Sequence, residues 1–295
     1  MTQQWTHAPV LLRETVDLLA VRPDGVYLDG TLGLGGHSGA ILERTAPAGR
    51  VIGIDLDPNA VAMAREKLKT FGARFTAVEG SYTDAVRLLA VCGFAKADGA
   101  LFDLGFSSYQ MDDPSRGFSF NSPARLDMRF GASRLTAHDI VNTWPAEELA
   151  RIIYKYGEER FSRQIAQAIL RARQKAPIDT NVQLRNVIEG VCRYGGKIHP
   201  ATRTFQALRI VVNDELGNVE KILKALPALI NNGGRAAFIT FHSLEDRLVK
   251  HGLRALQEGG GWTVLTKKPV APAESECAEN PRSRSAKLRV IERAA

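Results

Sequence analysis

Short apolar runs that stop on an acid or a glycine recur along the chain. Each is followed by a stretch in which apolar residues return every three or four positions. Val26-Tyr27-Leu28 is apolar and β-prone, as a strand buried on both faces should be. It gives way to a turn in which Gly30, Gly33, Gly35 and Gly36 crowd together, and Ser38-Gly39-Ala40-Ile41-Leu42 reads as the start of a helix. Residues 51–54 repeat the strand pattern and end on Asp55, after which Pro58 suits a helix entry. Val61, Ala64, Leu68 and Phe71 keep helical spacing through 59–71. Residues 75–78 predict a third strand leading into Gly80-Ser81-Tyr82, 84–91 a helix, and 97–104 a fourth strand with Asp103 at its end. Residues 10–19, behind Pro9, also show helical spacing. Strand–helix steps in such succession predict a doubly wound sheet with its site at the carboxyl ends of the strands.

The rhythm then breaks. Residues 107–135 are rich in Ser, Asp, Pro, Arg and Gly and read as irregular loop. Helical periodicity takes over in 146–156, 160–174 and 182–192, with Gly157 and Pro177 as punctuation. This interruption reads as an inserted helical subdomain, so the expected division is 1–107 with 205–295 around an insertion at 108–204. Residues 205–212 lead into a long helix through 216–230, closed by Asn232-Gly233-Gly234. A fifth strand at 235–241, a helix at 244–257 and two final strand candidates at 262–267 and 286–292 complete the chain. Two closing strands joined by a long connection match the methyltransferase variant of the α/β doubly wound, mostly parallel seven-stranded sheet. Dehydrogenase domains usually place a further helix-linked parallel strand there.

Composition narrows the function classes. Hydrophobic residues make up 44% of the 295, enough for a core, and no stretch approaches the ~18 apolar residues of a membrane span. Residues 1–13 are polar and carry no apolar signal segment, so a cytoplasmic location and no membrane partner are expected. Cys92, Cys192 and Cys277 lie far apart, which argues against a disulfide framework or a zinc site. A net charge of +7 favours a polyanionic partner. The basic residues of the insertion, among them Arg151, Lys155, Arg160, Arg163 and Arg185, fit an RNA-facing surface and a solvated helix face equally well.

The glycine turn indicates which ligand to expect. A dinucleotide fingerprint needs G-x-G-x-x-G, and counting from Gly33 the sixth residue is Ser38. No Lys follows the glycines as a phosphate-binding loop requires. An adenosine ligand without pyrophosphate fits better, and S-adenosylmethionine is the expected cofactor. Asp55, at the end of the second strand, can accept both ribose hydroxyls, and Tyr82 offers a ring near the adenine or to the core. Methyl transfer then needs positioning and desolvation. An exocyclic amine also needs acceptors for its N–H groups, because its lone pair is delocalised into the ring. Amino-methyltransferases use an acid or amide at the end of the fourth strand, followed by Pro-Pro and an aromatic residue. Here the same place reads Asp103-Leu104-Gly105-Phe106, which keeps the acid and the aromatic without the prolines. Asp103 is therefore the candidate catalytic residue; a turn or cap carboxylate is its plain alternative. His242 with Glu245 and Asp246 is too local for a hydrolase triad, and with no second His nearby no metal site is expected.

Taken together, the runs DGTLGLGGHS, GIDLDPNA, DLGFSSYQMDDPSRGFSF, LDMRF, YGEERFSRQIAQAI, KIHPATRTFQALRIVVNDEL, FHSLEDRLVK and NPRSRSAKLR resemble, in order and across nearly the whole chain, the ribosomal RNA small subunit methyltransferase H family. That family, of the class I S-adenosylmethionine-dependent fold, methylates N4 of a decoding-centre cytosine in 16S rRNA. The resemblance implies cofactor contacts from Gly35, Gly36, His37, Asp55, Tyr82, Asp103 and Gln110. Tyr82 stands where Phe is frequent, Tyr109 where Pro is usual and Phe130 where Met is frequent. It also marks His199, Arg203, His242, Arg282, Arg284 and Lys287 as substrate-facing, the basic ones toward phosphate and the histidines toward the target base. For each, a structural salt bridge or loop clamp is the alternative. The implied partner is 16S rRNA within the small subunit. Monomer and homodimer stay equally open, and so do a methyltransferase of another substrate and a non-catalytic rRNA-binding assembly factor.

Overall fold

Alternation along buried strands decides how the sheet is clothed. The computed structural model describes residues 9–105, 111, 116–131, 133–192 and 199–295. The strands are β1 (Val26–Asp29), β2 (Arg50–Asp55), β3 (Phe75–Glu79), β4 (Ala97–Asp103), β5 (Ile230–Thr240), β6 (Trp262–Val264) and β7 (Lys287–Arg293). They form one sheet in the order β3-β2-β1-β4-β5-β7-β6. Strands β1 to β5 run parallel, while β7 is antiparallel to both β5 and β6. Successive side chains point to opposite faces. Leu28, Ile52, Ile54, Phe102 and Phe238 therefore fill one apolar layer, and Tyr27, Val51, Leu101, Ile239 and Leu288 fill the other. Burying a side chain of this size stabilises by roughly 1.5–3 kcal/mol.

The helices follow their local signals. Helix α1 (Leu12–Leu18) precedes β1, and α2 (Gly36–Arg44) starts from a left-handed Gly35 with φ of 72°. Helix α3 (Pro58–Lys67) has Pro at its first turn and Asp57 as N-cap, accepting from the Asn59 N–H. Helix α4 (Ala85–Val91) joins β3 to β4. The strand order reverses between β1 and β4. This is the switch point of an open α/β sheet, and the crevice outside those strand ends is where ligands bind.

The chain divides into two compact units, one of residues 1–105 with 216–295 and one of residues 106–215. The second boundary lies beyond the 204/205 expected from sequence. Helix α9 (Ala201–Asn213) supplies the reason: Phe205, Leu208 and Val212 join the apolar cluster of the second unit. That unit also contains α5 (Ala137–Thr143), α6 (Ala146–Gly157), α7 (Ser162–Arg173) and α8 (Asn181–Glu189), packed around Leu149, Ile153, Ile165, Ile169 and Leu184. Thr136 with Asp139 and Thr180 with Gln183 close reciprocal capping boxes on α5 and α8. Residues 205–212, read from sequence as leading into the helix at 216–230, lie within α9, which Asp214, with φ of 48°, separates from α10 (Glu215–Leu229). Helix α11 (Ser243–Glu258) follows β5. A short helix, α12 (Glu274–Glu279), occupies the connection read from sequence as loop.

Candidate active site

Of the inner strands of the sheet, three end on carboxylates: β1 on Asp29, β2 on Asp55 and β4 on Asp103. A fourth acid, Glu245, is buried in the first turn of α11, just past β5. Each is held differently. Asp29 is 1% exposed; it accepts the Ser38 hydroxyl at 2.7 Å and the Thr31 N–H at 3.3 Å. Asp55 accepts the N–H of Gly33 at 2.8 Å and of Asp57 at 2.9 Å. The glycine turn thus fixes the orientation of the acid expected to meet a ribose. Glu245 accepts the Phe241 N–H at 2.9 Å and lies 3.1 Å from His242 Nε2. Asp103 is the exception. Its Oδ1 is buried with no partner among the described residues, and its Oδ2 lies 3.9 Å from His37 Nδ1.

Removal from water raises the Asp103 carboxyl well above the ordinary carboxylate range, and the charges of Asp29 and Glu245 push it further in the same direction. Burial likewise raises Asp29 to about 6, against the lowering effect of the Ser38 and Thr31 hydrogen bonds. A buried carboxylate oxygen that finds no donor among the described residues, with Asp29 and Glu245 close enough to raise its proton affinity, is costly. The crevice is built to receive positive charge and N–H donors.

The other candidate cofactor residues surround these acids. His37 is buried, its Nε2 3.1 Å from the Val10 carbonyl. Tyr82 is half-buried in the turn Tyr82–Asp84 that follows β3, its ring edge-on to Phe102 with centroids 5.8 Å apart. Gly35 and Gly36 answer to packing. A Cβ on Gly35 would stand 2.9 Å from Leu68 Cδ1, and one on Gly36 would stand 2.3 Å from Pro9 Cγ. Gln110 lies outside the described residues.

The candidate substrate residues fall into two groups. In the first unit, Lys287 pairs in register with Thr240 at the carboxyl end of β5, two residues before His242. Arg282 and Arg284 are exposed on the turn Pro281–Ser285 just ahead of Lys287. These four therefore share one end of the sheet. Lys287 is already engaged with Asp246 at 3.2 Å, alongside the bond from Arg289 Nε to Asp246 at 2.7 Å. His242 is the N-cap of α11. In the second unit, His199 stacks on Phe120 with centroids 4.3 Å apart and lies 3.0 Å from Glu189 Oε1. Arg203 Nη1 is 3.6 Å from Glu159 Oε2.

The MraW methylase family model matches residues 4–294. Ribosomal RNA small subunit methyltransferase H of Geobacter sulfurreducens is 48% identical to this chain, covering 98% of it and 99% of the relative. The protein of the same name from Elusimicrobium minutum is 49% identical over 98% of this chain and 99% of its own. The chain belongs to the MraW methylase family. As a family methylase it draws its methyl group from S-adenosylmethionine. The site suits that cofactor, whose sulfonium and ammonium charges answer the excess of acid around Asp103, while Asp55 stands ready for hydroxyl donors. Asp29, Thr31 and Ser38, which tie the β1 end to its neighbours, were not singled out from sequence. The available signal was Asp29 itself, an acid ending a strand as Asp55 and Asp103 do.

Proposed function

We propose that the protein methylates the exocyclic N4 of a cytosine in 16S rRNA, with the small ribosomal subunit as substrate, in the cytoplasm. The observation that carries the proposal is the Oδ1 of Asp103 at the end of β4, buried and with no partner among the described residues, beside the switch-point crevice. S-adenosylmethionine supplies an electrophilic methyl on a good leaving group, which leaves the protein to position and desolvate. Asp103 accepts an N–H of the incoming amine and so turns the nitrogen lone pair out of conjugation. Ionised Asp103 is the form that accepts, and the positive charge of the bound ligand favours that form. Asp55 holds ribose hydroxyls, and His37 sets the Asp103 side of the crevice against the Val10 carbonyl. The target base leaves its stack to enter, paying a few kcal/mol. Arg282 and Arg284 meet phosphate, with Lys287 and His242 beside them. His199 and Arg203 serve RNA from the second unit.

The test is transfer of radiolabelled methyl from S-adenosylmethionine to small subunits, followed by digestion to nucleosides. Label in N4-methylcytidine is expected from the wild type. Asp103→Ala should lower transfer by at least 100-fold, the range in which loss of one oriented polar group in a desolvated site falls. Label in another nucleoside would overturn the N4 assignment, and unchanged turnover in Asp103→Ala would remove that residue from the mechanism.

A further inference from the structure

The carboxylate at the end of β4 is only as well placed as the backbone that bears it. That backbone is held from β1. The main-chain N–H of Asp103 donates to Thr31 Oγ1 at 2.6 Å, a contact across 72 residues of sequence. Thr31 is itself fixed from the other side, where its own N–H donates to Asp29 Oδ1 at 3.3 Å. Asp29 Oδ2 in turn accepts the hydroxyl of Ser38 at 2.7 Å, which anchors the acid to the first turn of α2. One step before Thr31, the Gly30 N–H donates to the Leu101 carbonyl at 2.8 Å, so the two strand ends are also joined at main-chain level. A Cβ on Gly30 would stand 2.5 Å from the Phe102 ring, so only glycine lets β1 approach β4 this closely.

We infer that Thr31 is a positioning residue for methyl transfer: its hydroxyl, braced by Asp29 and Ser38, sets the backbone at Asp103 and with it the direction of the acceptor oxygen. This rests on the reading of Asp103 as the transfer residue. A turn residue needs no hydroxyl to close the β1 turn. The hydroxyl here is spent on a strand whose own ladder partners are β1 and β5. Misplacement by about 1 Å from a residue that touches neither reactant is enough to cost 100-fold in rate. The same brace has an electrostatic side. Among the described residues, the groups facing the Asp103 carboxyl are Asp29 from β1, His37 from α2 and Glu245 from α11, and the two acids raise its proton affinity.

Three variants test the inference. Thr31→Val keeps the shape and removes the hydroxyl. At saturating cofactor and subunit, its kcat should fall by 10- to 100-fold while its Kd for S-adenosylmethionine stays within threefold. Thr31→Ser restores the acceptor and should recover kcat to within threefold of wild type. Asp29→Asn, with one acid fewer beside Asp103, should move the acid limb of the kcat/KM profile to lower pH, which a purely structural role would not do. Wild-type kcat in Thr31→Val, a loss confined to cofactor affinity, or Thr31→Ser as poor as Thr31→Val would each overturn the inference. If Thr31→Val does not fold, a poor Thr31→Ser still overturns it. Asp103→Ala, which removes the acceptor, separates the two readings. If that variant retains full turnover, the parent reading of Asp103 falls. If it is inactive while Thr31→Val is unaffected, only the role of Thr31 falls.

Discussion

Asp29 shows what an acid costs when it is kept for geometry. Its folded carboxyl titrates near 6 against an ordinary 3.8, raised by burial in spite of two hydrogen bonds. The folded state therefore binds a proton more readily than the unfolded chain. Stability is lost as pH rises from about 4 to about 6, and above that window the charged form carries the full penalty. The shift corresponds to about 3 kcal/mol. Asn in its place can keep the Thr31 N–H on its oxygen and donate its amide to the Ser38 hydroxyl. Asp29→Asn should therefore be more stable than wild type by about 2–3 kcal/mol at pH 8. The advantage should shrink through the window and vanish below pH about 4. Denaturant melts at pH 4, 5 and 8 check this, and an advantage that grows toward acid would contradict it. Asp103 is raised in the same direction, so Asp103→Asn should also gain stability at neutral pH, as expected where a site waits for a cation.

The glycine turn is the element on which everything else is hung, and it contains two signals that look alike. Read along the chain, Gly30 to Gly36 make room for a ligand. In space, the room at Gly36 is filled by Pro9 and that at Gly35 by Leu68, while Gly33 orients Asp55 through its N–H. Gly36→Ala should push the segment at Pro9 away from α2 and loosen the Val10 carbonyl that meets His37. The expected cost is about 1–3 kcal/mol in a denaturant melt, as for other overpacked contacts. Gly72→Ala meets nothing within 4 Å and is costly for its backbone alone, at φ 57° and ψ −134°, by about 1–3 kcal/mol. An unchanged melt in Gly36→Ala would remove packing as the reason for Gly36. The strands and most helices were legible because apolar period and strand-end acids are local. The Asp214 break and the packing of α9 were not. They depend on which core Phe205, Leu208 and Val212 enter, and the period of a helix does not name its partner. Thr31 was hidden for a related reason, since its working partner is the backbone of a distant strand.

At the scale of the molecule two charge patterns have opposite tasks. The whole chain carries +7, yet the crevice at the strand ends is lined with acids. A cationic cofactor answers the buried acids, and a polyanion answers the exposed bases, with Arg284 and Arg282 at the rim. Salt should distinguish them. Exposed pairs are screened within about 8–10 Å, and each phosphate contact releases counterions, so RNA affinity should fall steeply with ionic strength. Cofactor affinity should change little, because its partners are removed from bulk solvent. Arg284→Ala should weaken RNA binding about uniformly across sequences and reduce the slope of log K against log salt by about 0.7–0.9. Anisotropy titrations with a 16S fragment between about 50 and 200 mM salt supply the slopes. Lys287 belongs to a different case, because its ammonium is already bound to Asp246, whose carboxyl is held below the usual range by Arg289 and Lys287 together. Lys287→Ala should therefore leave the salt slope nearly intact and show its loss in stability instead. A full unit of slope lost from Lys287→Ala, with none lost from Arg284→Ala, would reverse the roles assigned to the two residues and place the RNA backbone along β7 instead of the exposed turn.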